Sequence, residues 1–154
     1  MDERSAPPYF QREHERLEEQ LHAHLLNVIG GDFVQALAQL QAWRQALAQH
    51  IAVEEQQLLP HLPEGARWAA RVYLLEHERI DLLAEEHTAR LQAVAASPPT
   101  DALQQRRTAL ALIDGAHALR HVIEHHHERE HNALAMELPE ALQAQVWARV
   151  GTQE

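Results

Sequence analysis

The stretch His50-Ile51-Ala52-Val53-Glu54-Glu55-Gln56-Gln57-Leu58-Leu59-Pro60-His61-Leu62-Pro63-Glu64 decides the fold, because its pattern occurs twice. His50-x3-Glu54-x3-Leu58-x3-Leu62-Pro63-Glu64 returns as His126-x3-Glu130-x3-Leu134-x3-Leu138-Pro139-Glu140. A spacing of four keeps residues on one face of a helix, and the proline marks where that helix stops. Upstream of each copy stands a second repeated piece. Glu13-His14-Glu15-Arg16-Leu17 recurs as Glu76-His77-Glu78-Arg79-Ile80. The chain therefore reads as two copies of one helical hairpin, each supplying a lone His and then an H-x-x-x-E.

Working outward from these stretches, the punctuation is sparse. Ala, Leu, Gln, Glu and Arg dominate, and they favour helix almost throughout. Pro7 and Pro8 precede a first helix predicted at about 9–29, which Gly30-Gly31 stops. Asp32, with Gln35 at the capping-box position, opens a second helix at about 33–59 that ends near Pro60. A third is predicted at about 66–96. After the loop Ser97-Pro98-Pro99-Thr100, Asp101 caps a fourth at about 102–136. Pro139 starts a short terminal helix at about 139–151. Four long helices with short connections predict an all-α, antiparallel up-down-up-down four-helix bundle with a short C-terminal helix. It forms one domain over 1–154, with the bundle at about 9–138.

Composition narrows the function. The 154 residues contain 13 His, no Cys and no Lys, and the formal charge is -10. Such an acidic chain is not expected to bind nucleic acid or anionic membranes. The lack of Cys excludes disulfides, thiol catalysis and sulfur-ligated metal sites. No stretch has the profile of a signal peptide or approaches a membrane span, so a cytoplasmic location is expected.

The apolar stripes show where the histidines point. The first helix buries Phe10, Leu17, Leu21, Leu25 and Val28 with His14 among them. The second aligns Trp43, Ala46, Leu47, Val53 and Leu58 with His50 and Glu54. The third aligns Ala70, Tyr73, Leu74, Ile80, Ala84 and Leu91 with His77. The fourth aligns Leu112, Leu119, Val122, Ile123, Ala133 and Leu134 with His126 and Glu130. Each long helix thus turns a His to the core, and two add a Glu one turn later. Buried imidazoles and carboxylates demand partners, and a metal satisfies them together. In the run His125-His126-His127, the repeat and the helical phase select His126; its neighbours lie about 100° away. Glu18 and Asp81, four residues after His14 and His77, are candidate additional ligands, partners that orient an imidazole, or proton relays. Tyr73, one turn before His77, is a candidate redox or proton-transfer group, although plain packing also accounts for it.

Nitrogen and oxygen donors with bridging carboxylates suit a pair of first-row metals, iron first and Mn or Zn behind. Here the chain resembles a known family. The lone His of the first helix, the second-helix HIAVEEQQLLP, the third-helix E-H-x-x-I and the fourth-helix H-x-x-x-E are together similar to the hemerythrin-like (HHE cation-binding) domain, over about 9–138. The resemblance implies two iron ions with an oxo or hydroxo bridge: His14 and His50 on one, His77 and His126 on the other, Glu54 and Glu130 bridging. It also implies a small diatomic ligand, O2 or NO, or peroxide. The chain departs from the oxygen-carrying members, which have a second third-helix His where Asp81 stands. They also space the last His and its carboxylate by five, which His125 with Glu130 would preserve. A symmetric site of this kind is nearer to the family's repair, nitric-oxide-responsive and iron-sensing members than to its carriers. Reversible O2 or NO binding, a redox enzyme or iron–sulfur repair factor, a ferritin-like carboxylate bundle and a metal-free bundle are the competing readings. His117, His121 and His125 form an outer line on the last long helix. His22, His24, His61, His87, His127 and His131 join no constellation, and Trp68 and Trp147 lie outside the motif.

Overall fold

A computed structural model describes residues 5–150, all helix and connections, with no strand among them. Helix α1 spans Tyr9–Ile29 and α2 spans Phe33–Val53. A π-helical turn, Glu54–Leu58, and a 3₁₀ turn, Leu59–His61, finish the first hairpin. Helix α3 spans Ala70–Ala96, α4 Ala102–Gly115 and α5 His117–Arg129. A second π-helical turn, Glu130–Leu134, leads into the short α6, Ala135–Glu137, and then α7, Glu140–Val150. The expected end of the last helix at 151 lies outside the described residues.

The local chemistry of the ends is as the residue types dictate. Gly31 takes a φ of 78°, a left-handed conformation that disfavours side chains. Asp32 accepts the amide of Gln35 at 3.2 Å, and Asp101 accepts that of Gln104 at 3.2 Å. Two helix boundaries differ from expectation. Helix α3 begins at Ala70 rather than 66, because the preceding residues are tied elsewhere. The Arg67 amide donates to Glu137 at 2.6 Å, and the Arg129 guanidinium lies 4.3 Å over the Trp68 ring. The helix expected over 102–136 breaks at Gly115–Ala116. Arg90 donates to the Gly115 carbonyl at 2.8 Å, and a Cβ at Gly115 would lie 3.1 Å from its guanidinium. Leu74, read as core, is 38% exposed.

Helix α1 packs on α2 and α4, α2 on α3, and α3 on α5, while α7 closes over α1 and the first π-helical turn. The buried positions follow steps of three and four along each helix. Such runs are 10, 14, 17, 21 on α1; 40, 43, 47, 50 on α2, continued by 54; 73, 77, 80, 84 on α3; and 119, 123, 126 on α5, continued by 130. These seams divide the interior into layers. One apolar core holds Leu17, Leu47, Ile80, Ile123 and their neighbours. A second holds Phe10, Leu58, Tyr73, Leu134, Trp147 and theirs. Between them, on every seam, comes a His or a His–Glu pair. This layer is polar and lies between two apolar ones.

Candidate metal centre

In that layer the structure brings six side chains together: His14, His50, His77, His126, Glu54 and Glu130, each at most 4% exposed. They form two overlapping groups whose donor atoms lie within 4.8 Å of one another. One is His14, His50, Glu54 and Glu130; the other is Glu54, His77 and His126. Glu54 belongs to both. One of its oxygens meets His50 Nε2 and the other lies 3.0 Å from His77 Nε2. Glu130 Oε1 stands between the hairpins in the same way, 3.2 Å from His14 Nε2 and 2.9 Å from His126 Nε2.

Both glutamates open a π-helical turn, and the seam explains why. After His50 and His126 the buried positions step by four to the Glu and by four again, to Leu58 and Leu134. Two successive steps of four overshoot a regular helix, and one extra residue in the turn absorbs the excess. The glutamate and the following leucine therefore both face inward.

The opposite ring nitrogens are held from outside the cluster. The His50 Nδ1–H donates to Glu13 at 3.4 Å, and the His126 Nδ1–H donates to Glu76 at 3.3 Å. Each of these acids is held in turn by an arginine, Arg16 at 2.9 Å and Arg129 at 3.0 Å. His14 Nδ1 meets His131 Nε2 at 3.2 Å, and His77 Nδ1 faces Glu55 at 3.8 Å. With Nδ1 engaged on His14, His50 and His126, the Nε2 atoms of these rings are turned toward the shared space, where His77 Nε2 also lies. Trp147 of α7 stacks on the His50 ring at 4.8 Å, and His127 on that of His14 at 3.7 Å.

Charge follows these contacts. Burial disfavours a His50 imidazolium, but Glu54 and Glu13 outweigh it and raise the group to about 10. His126 is likewise raised well above the ordinary range: burial opposes the shift, and Glu130 and Glu76 drive it. Burial would push Glu130 up, yet the imidazoles of His126 and His14 hold it well below. His127 has burial and the neighbouring His14 against its charged form and is pushed far down.

The other expected groups fall elsewhere. Glu18 and Asp81 are exposed and belong to neither group; Asp81, 75% exposed, faces Arg44 at 3.6 Å. The seam gives the reason. After His14 and His77 it steps by three, so Leu17 and Ile80 go inward and the acids at the fourth position turn out. His125 is also exposed, its ring 3.1 Å from His121, so the alternative pairing of His125 with Glu130 falls away and His126 is the histidine beside Glu130. Tyr73 is fully buried in the apolar layer, its ring 6.5 Å from that of His126 and its hydroxyl without a partner. Burial, Glu137 and Glu130 push that hydroxyl upward, which keeps it protonated.

Whether a metal suits these residues is tested by their unsatisfied atoms. His14 Nε2, His50 Nε2, Glu54 Oε1 and both oxygens of Glu130 are buried without a hydrogen bond of acceptable geometry, although their charged partners are near. Leaving so many polar atoms unsatisfied in one layer is costly. A cation in the shared space satisfies all of them at once, so these buried groups could hold a metal ion. Comparison with protein families, curated proteins and solved structures finds no match. Geometry and chemistry carry the functional reading.

Sequence reasoning missed Glu13, Glu76, Glu55, His127, His131 and Trp147. For the first two the signal was present, since both stand inside the repeated Glu-His-Glu-Arg. Among the described residues no helix is long and apolar enough to cross a membrane.

Proposed function

We propose that this chain is a hemerythrin-like di-iron protein, a single antiparallel up-down-up-down four-helix bundle with a short C-terminal helix, that binds or senses O2 or NO or handles iron. In this reading His14 and His50 hold one iron, His77 and His126 hold the other, and Glu54 and Glu130 bridge. The observation that carries it is the polar layer itself: four imidazoles and two carboxylates, buried between apolar cores, with Nε2 atoms and carboxylate oxygens left unsatisfied. The donors are nitrogen and oxygen without sulfur, which suits iron, with Mn and Zn as substitutes.

Bound iron supplies a redox-active centre with exchangeable coordination for a small ligand. The chain supplies the surroundings. Glu13 and Glu76 fix the tautomer and ring angle of His50 and His126. Phe10 and Leu58 on one side and Leu17 and Ile80 on the other keep bulk water away. A redox or iron–sulfur repair reading needs a proton path, and its candidates do not supply one. Glu18 and Asp81 face solvent, and the Tyr73 hydroxyl has no partner. Binding or sensing is therefore the reading we favour.

The test is metal quantification and the optical spectrum of the purified protein, followed by anaerobic reduction and exposure to O2 and NO. Two irons per chain, a spectrum that responds to the gas, and a melting temperature lowered by a chelator are expected. Substoichiometric metal with melting unchanged by the chelator would overturn the reading.

A further inference from the structure

The two hairpins are copies, so any difference between them at the centre is informative. His14 is equivalent to His77 and Glu54 to Glu130; by the same register Glu55 is equivalent to His131 and Ile51 to His127. The His77 side of the layer faces the Glu55 carboxylate, where the His14 side meets two further imidazoles. His127 stacks on His14, and His131 reaches its Nδ1. Neither belongs to the ligand groups.

These two imidazoles are the inner end of a groove of about 530 Å³ between α1 and α5. Its floor is apolar, with Leu17, Leu21 and Trp43. Its walls carry five imidazoles and three carboxylates against the single guanidinium of Arg120. His117 and His121 are exposed at the far end, and the helix between them and His131 spans roughly 20 Å at about 1.5 Å per residue. Neutral imidazoles and carboxylates at short intervals attract and pass on a divalent first-row cation, and they offer little to an apolar gas.

We propose that this groove is the entrance for the metal, with His117 and His121 capturing a divalent cation and His127 and His131 passing it to His14. The inference rests on the proposed metal centre and adds the route by which that centre fills.

The test follows Co2+ uptake by the metal-free full-length protein, using visible absorption in a stopped-flow instrument. The exposed pair His117→Ala/His121→Ala, and separately His127→Leu, are each expected to load at least tenfold more slowly, with the same final stoichiometry and melting temperature. His61→Ala, an exposed histidine of the first hairpin that lies outside the groove, is expected to load at the normal rate. Loading at the normal rate in both groove variants would overturn the route and leave the centre standing. Loss of a bound ion in either variant would also overturn it, because those histidines would then be ligands. If the unaltered protein takes up no Co2+, the centre fails and the route with it.

Discussion

Two sets of buried histidines lie along the same bundle, and they behave in opposite ways. Ten residues after His14 and His77, at equivalent places in the two hairpins, stand His24 and His87. Both are buried, and their Nε2 atoms meet at 2.9 Å. A carbonyl only accepts, so His24 Nδ1–H donates to Ala36 at 2.7 Å. His24 Nε2 is then bare and accepts from His87, whose Nδ1 is left buried without a partner. No carboxylate offsets burial here. Burial lowers His24, and burial with the nearby His24 and Arg90 pushes His87 down to about 4. At His50 and His126 the same burial is overcome by Glu54, Glu130, Glu13 and Glu76. The lesson is that depth sets the demand and the partner sets the charge. One layer could hold a cation, and the other disfavours even a proton.

The sharpest way to break this contrast is to remove the carboxylates. Glu54→Gln or Glu130→Gln keeps the shape and deletes the charge shared by both hairpins. Metal affinity is expected to fall more than 100-fold, measured as metal retained after dialysis against a weak chelator; full retention would remove these residues as ligands.

Next comes acid. Because His87 has a folded-state value of about 4 against an ordinary 6.5, the unfolded chain takes up a proton between those values and the folded one does not. Its contribution to stability is complete above pH 6.5 and declines as the pH falls to 4, by about 3 kcal/mol in all at roughly 1.4 kcal/mol per pH unit. His87→Gln keeps a donor for His24 but cannot titrate, so urea denaturation of this variant is expected to show a flatter pH profile across that window. Equal slopes in the two proteins would refute the assignment.

A smaller effect is expected at the orienting acids. Glu13→Gln and Glu76→Gln leave every ligand in place but weaken the hold on His50 and His126, so metal affinity drops about 10- to 100-fold. An unchanged affinity in competition with a chelator would show that Glu13 and Glu76 are bystanders. Smallest of all are Glu18→Gln and Asp81→Asn. Both acids face solvent, and each change is expected to leave metal content unaltered and stability within about 0.5 kcal/mol.

The seam also explains what could be read from the sequence. His14, His50, His77, His126, Glu54 and Glu130 were legible because apolar periodicity placed them inward and the repeat fixed their register. Glu18 and Asp81 were misread because a spacing of four was applied to helices whose next inward residue, Leu17 or Ile80, comes at three. His24 and His87 sit on the same seams but look like surface histidines until the two helices are packed together. Glu13 and Glu76 reach across to a neighbouring helix, and periodicity within one helix does not describe such a contact. The break at Gly115 was hidden because Arg90, which takes its carbonyl, comes from another helix.

Each tryptophan touches a different working part: Trp147 lies on the His50 ring, Trp68 under the guanidinium that holds Glu76, and Trp43 in the floor of the groove. The protein thus carries built-in fluorophores at three stations. Emission from single-tryptophan variants would report separately on the groove, on the His50 ring and on the arginine that holds Glu76 as a cation is added, without any attached label.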